Sequence, residues 1–128
     1  MSIWRYANPA EFMRLTGYLL APAWIGAGAL LAVGTVWSFL VPWDYQQGST
    51  VRIMYVHVPA AWLSMFCYLV MSSAALGTLV WRHPLADVAA KCAAPIGAAF
   101  AFCTLATGAL WGKPMWGAWW VWDARLTS

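Results

Sequence analysis

IMYVHVPAAWLSMFCYLVMSSAALGTLVW, residues 53–81, runs for twenty-nine positions without a charged side chain, held between Arg52 and Arg82. About twenty apolar residues cross a bilayer as an α-helix, so this run is long enough to span once. In lipid every backbone N–H and C=O needs a partner inside the protein, and a helix supplies one within its own segment. Two further runs repeat the pattern, residues 15–43 between Arg14 and Asp44 and residues 92–112 between Lys91 and Lys113. Three spans are expected, in an all-α integral membrane protein.

Composition agrees with that reading. Of 128 residues 63% are hydrophobic and 9% charged, and the mean hydropathy is +0.66. A soluble domain of this size would carry far more charge. The first run is too long for a cleavable leader and leads straight into further spans. Cys67, Cys92 and Cys103 lie in or beside apolar runs with no C-x-x-C spacing, which fits neither a disulfide frame nor a zinc site and reads as packing. The net charge of +3 sits at the ends of the spans, so it bears on topology and not on nucleic acid.

The chain reads as one membrane domain over residues 1–128, with spans at about 18–41, 59–81 and 93–111 and a tryptophan-rich segment at 112–125. Pro22 falls near the start of the first span and Pro42 at its end. Pro59 disfavours helical angles at the residue before it, which starts the second regular helix at 59. Arg82, His83, Pro84, Asp87 and Lys91 read as a short polar link. Gly108 and Gly112, four residues apart, mark a close helix contact. With the N-terminus inside, Arg5, Arg14, Arg82 and Lys91 face the cytoplasm against Arg52, Lys113 and Arg125 outside, the sense favoured by the positive-inside rule. Whichever way the first helix points, three crossings put the loop at residues 44–52 and the tryptophan-rich segment on the same face.

That segment, WGKPMWGAWWVWDARLTS at residues 111–128, places five tryptophans in twelve positions. Trp24, Trp37, Trp43, Trp62 and Trp81 are scattered as an interfacial aromatic belt would be. Trp116, Trp119, Trp120 and Trp122 are clustered within seven residues, which suggests a platform for something flat and apolar, haem being the first candidate. On a helix Trp116, Trp119, Trp120 and Asp123 would share a face, whereas Gly112, Pro114 and Gly117 suggest a shaped loop that turns back along the surface. His57 lies on the same side; it can face water at the interface or serve as an axial ligand of haem iron, with Met54 and Tyr55 packing around the ring. His83, on the opposite face, reads as a solvated turn residue. Asp123 can cap a helix starting at Ala124 or orient an indole N–H or an arginine. Arg52 and Arg125 are either flanking charges or partners for haem propionates, which a guanidinium fork suits. No nucleotide-binding loop, nucleophile triad or carboxylate pair is present, so no enzymatic role is expected.

DYQQGSTVRIMYVHVPAAW, followed about fifty residues later by WGKPMWGAWWVWDARLTS, resembles the haem exporter protein C (CcmC) family of bacterial cytochrome c maturation, over nearly the whole chain. The resemblance is to the N-terminal half of a six-helix inner-membrane bundle with a periplasmic "WWD" segment that binds haem. It implies that His57 is one axial ligand, that Trp116, Trp119, Trp120, Trp122 and Asp123 form the platform, and that Arg52 and Arg125 hold the propionates. The family's second axial histidine belongs to a later helix, so this sequence is expected to be a truncation or fragment with incomplete ligation. Related lyase-type subunits continue WDP and an acidic residue; WDARLTS differs, which favours haem delivery over final ligation. Implied partners are a membrane-anchored haem chaperone, an ABC-type ATPase with its membrane subunit, and a small single-span subunit. The rival expectation is a structural subunit of a transporter complex that binds no haem and whose tryptophans anchor it in the bilayer.

Topology is directly testable. In a background without native cysteines, single cysteines in residues 44–52 and in 113–128 should react with an impermeant maleimide from one side of the membrane and cysteines in 82–91 from the other. Labelling of the first two segments from opposite sides would refute three crossings.

Overall fold

The computed structural model describes residues 8–123 and contains three helices, α1 (Pro9–Leu40), α2 (Val51–Trp81) and α3 (Pro84–Trp116). Each is long and apolar enough to cross a membrane, as the sequence requires of an all-α integral membrane protein. The chain divides into two compact units, the first ending at Leu40 and the second beginning at Val41.

All three helices begin before the apolar runs do, because helices of 32, 31 and 33 residues are about 45–50 Å long at 1.5 Å per residue, whereas the hydrocarbon core is about 30 Å thick. The excess carries polar residues. In the first unit, α1 starts at Pro9 and not near position 18. The Asn8 side-chain oxygen accepts from the Ala10 N–H at 3.0 Å, Pro9 occupies a position where a missing N–H costs nothing, and Glu11 pairs with Arg14 at 3.4 Å. Pro22 therefore lies inside the helix.

The second unit is a helical hairpin joined by two residues. Arg82 ends α2 in the left-handed region at φ 48°, and His83 is extended ahead of Pro84. The stretch expected as a polar link is instead the first turns of α3. Pro84 suits a helix start, Asp87 sits in the first turn where a carboxylate complements the helix dipole, and Asp87 binds Lys91 one turn on at 2.6 Å.

The α2–α3 contact is built from small residues. Ala60, Cys67 and Ala93 are its buried apolar side chains. A Cβ on Gly97 would lie 3.0 Å from the Cys67 Cβ, and one on Gly77 would lie 3.4 Å from the Ala86 Cβ. Moving toward the start of α2 moves the partner toward the end of α3, so the helices are antiparallel. In lipid, dispersion between closely approaching backbones replaces the hydrophobic drive, which is why glycine and alanine line the seam.

The regular helix of α2 begins at Val51, eight residues before Pro59, contrary to the boundary expected at the proline. Residues 51–58 pack beside α3 and remain helical; tertiary contact outweighs the local preference of the residue before a proline.

Gly97→Leu should push the helices apart and cost about 1–3 kcal/mol of hairpin stability, as overpacking of a tight seam does, read as a lower unfolding midpoint by steric trapping in bicelles. Ala99→Leu, at an exposed position of the same helix, should change it little.

Candidate functional site

The loop before α2 is shaped by Asp44. One carboxylate oxygen accepts from the Gln46 and Gln47 N–H groups at 2.9 and 2.8 Å, a turn that aspartate favours. Asp44 and Gly48 exchange backbone hydrogen bonds of 3.2 and 2.9 Å, with Gly48 at φ +57°. This turn points Gln47 at α3, where its side-chain oxygen accepts from the Trp111 indole N–H at 3.0 Å. Thr50 reaches the Met115 sulfur at 3.9 Å. The loop and the end of α3 thus occupy one end of the hairpin, in keeping with the parity expected from three crossings.

His57 is the seventh residue of α2, about 9 Å along the axis from its start. Its Nδ1 lies 3.0 Å from the Thr107 hydroxyl oxygen, and its Cε1 lies 3.2 Å from where a Cβ on Gly108 would stand. The imidazole is thus laid edge-on against α3, half-buried. The close contact expected at Gly108 exists, and His57 is what fills it. Gly112 does something else: a Cβ there would meet the Trp116 ring at 3.3 Å and the Ala118 carbonyl oxygen at 3.5 Å. The chain folds back over its own helix end.

That fold-back changes the geometry of the tryptophan segment. α3 continues to Trp116 and stops at Gly117, which has φ 75° and donates its N–H to the Lys113 carbonyl at 3.0 Å, a glycine cap of the left-handed type. Residues 117–123 are non-helical, so the shared helical face of Trp116, Trp119, Trp120 and Asp123 does not form. The indoles group otherwise. Trp116 meets Trp111 edge to face at 5.2 Å, and Trp120 meets Trp122 the same way at 6.0 Å. The Lys113 ammonium, which also donates to the Gly117 carbonyl at 3.1 Å, stands 5.7 Å from the Trp119 ring centre and polarises that face. Trp116, Trp119 and Trp122 remain 45%, 56% and 85% exposed, so flat apolar area is available. The Asp123 N–H bonds the Val121 carbonyl at 2.9 Å. Ala124 and Arg125, with the helix cap and the guanidinium role expected there, lie outside the described residues.

Two buried polar atoms at this end have no hydrogen-bond partner among the described residues, Arg52 Nε in the first turn of α2 and Trp120 Nε1 in the segment after α3. A buried donor left unpaired costs about 1–3 kcal/mol, and proteins leave few of them. Both are donors. Sequence reasoning named Arg52, Trp120 and His57; it did not find Thr107 or Gln47. The signal for Thr107 was faint, a hydroxyl beside a glycine in an otherwise apolar helix.

The sequence model of the family described as Heme exporter protein C matches residues 2–128. Proteins of that name are 63% identical in Bradyrhizobium diazoefficiens, over all of this chain and 49% of the relative, and 52% identical in Paracoccus denitrificans, over all of this chain and 53% of the relative. The Escherichia coli K12 protein is 50% identical over 95% of this chain and 50% of its own length. The chain therefore spans about half the length of these curated relatives. With a whole-chain family match and relatives at this identity, the chain belongs to the Heme exporter protein C family.

Proposed function

We propose that the tryptophan-rich end of the α2–α3 hairpin holds haem non-covalently at the periplasmic face of the bacterial inner membrane and hands it to a membrane-anchored haem chaperone for c-type cytochrome assembly. The observation that carries this is the gathering, at one end of one hairpin, of the imidazole of His57 and two buried donors, Arg52 Nε and Trp120 Nε1, that have no partner among the described residues. The relatives bear the name heme exporter, which supports the choice of ligand.

The donor set fits haem. His57 coordinates iron through imidazole, the usual protein ligand. Arg52 offers a guanidinium to a propionate, a role that Arg125 shares, and Trp120 Nε1 donates to a polar edge of the ligand. The exposed faces of Trp119 and Trp122, with Trp116, cover apolar ring area, and Asp123 borders them. Bound haem supplies the redox-active iron, and these residues supply position and desolvation. The remaining assembly comprises an ABC-type ATPase, its membrane subunit and a small single-span subunit, with this chain acting as carrier and not as enzyme.

The competing reading, a structural subunit anchored by its tryptophans, is separated by two measurements on membranes with matched expression. His57→Ala should lower haem per protein by about tenfold, equivalent to about 1.4 kcal/mol of binding, and alter the Soret band without affecting insertion; an unchanged band removes His57 as ligand. Trp119→Phe with Trp120→Phe should lower haem occupancy severalfold, because the smaller rings leave gaps and the buried indole N–H is lost. The pair Trp24→Phe and Trp37→Phe should not, and equal losses at both pairs would favour the anchoring role.

A further inference from the structure

We infer that Thr107 is a positioning residue that fixes the tautomer of His57, holding the proton on Nδ1 and leaving Nε2 as the nitrogen with a free lone pair. The iron-binding consequence rests on the reading of His57 as a haem ligand; the tautomer itself does not.

A threonine hydroxyl has one proton and two lone pairs. The Thr107 Oγ1 lies 2.6 Å from the Cys103 carbonyl oxygen one turn back and 3.2 Å from that of Thr104. Both are acceptors only, so the hydroxyl proton is committed to the helix backbone, with the shorter contact to Cys103 taking it. The hydroxyl oxygen then faces His57 Nδ1 at 3.0 Å as an acceptor, and a hydrogen bond at that distance requires Nδ1 to be the donor. In a neutral imidazole the other nitrogen is then bare.

Gly108 completes the device. Without a Cβ at position 108 the ring can approach α3 edge-on, its Cε1 only 3.2 Å and its Nδ1 3.6 Å from the vacant Cβ position, so the Nδ1–Cε1 edge faces the helix. One residue supplies the hydrogen bond and the next supplies the room. Free imidazole side chains in water favour the proton on Nε2, the opposite state, so the contact reverses the default. Metal-binding histidines generally need such a partner on the other nitrogen, and its loss typically costs about 10–100-fold in metal affinity.

The test uses the full-length protein in lipid nanodiscs with ¹⁵N-labelled histidine, without haem, at a pH above the ordinary imidazole range of about 6.5. The His57 signals are identified by their loss in His57→Gln. The expected result is protonated Nδ1 and bare Nε2 in the wild type and in Thr107→Ser, with a shift toward protonated Nε2 in the isosteric Thr107→Val. A wild-type ring protonated at Nε2, or a Thr107→Val spectrum identical to the wild type, overturns the proposal. Titration with haem then gives the linked result, about 10–100-fold weaker binding and a raised iron midpoint potential in Thr107→Val, with both rescued by serine. If His57→Ala leaves haem binding intact while the tautomer follows Thr107, haem ligation by His57 fails and the tautomer assignment stands.

Discussion

The second unit depends on how closely two helix backbones approach. At Gly97 there is 3.0 Å between a would-be Cβ and the Cβ of Cys67, a separation that no side chain on α3 could share. Near the turn the gap at Gly77 is 3.4 Å, and near the other end Gly108 leaves room for a ring. The seam is thus close at all three positions, and at Gly108 the neighbour that fills the space is the His57 ring. Because the contact is made of small groups, it offers dispersion and little else. Most large apolar side chains of these helices stay exposed, suited to lipid or to neighbouring helices.

Polar residues at one end of that seam turn a bare helix pair into a site. Asp44 shapes the loop, Gln47 ties it to Trp111, and Thr50 reaches Met115. Opposite them α3 ends on Gly117 and the chain turns back over Gly112. The result brings to one end of the hairpin indole faces, the Lys113 ammonium and two buried donors without partners among the described residues, carried partly by the helix ends and partly by the irregular segment after α3. A helix through residues 116–123 would have put Trp116, Trp119 and Trp120 on one face with Trp122 pointing elsewhere; the irregular return pairs Trp120 with Trp122 and leaves Trp119 beneath Lys113.

The three long apolar helices were legible in the residues, because long uncharged runs have few other physical explanations, and so was the placing of the loop and the tryptophan-rich segment at one end of the hairpin; His57, Arg52 and Trp120 stood out as candidates by residue type and position. Helix ends were not. Asp87 and Lys91 look like a loop by polarity but pair one turn apart at the start of α3, and residues 51–58 stay helical ahead of Pro59 beside α3. The hydrogen bond between His57 and Thr107 joins positions fifty residues apart, and local pattern carries no information about which α3 hydroxyl will lie at the right height. Composition and spacing determine what must be buried in lipid; only the antiparallel register of α2 on α3 decides which polar atoms meet, because that register is set by where backbones without Cβ atoms can touch.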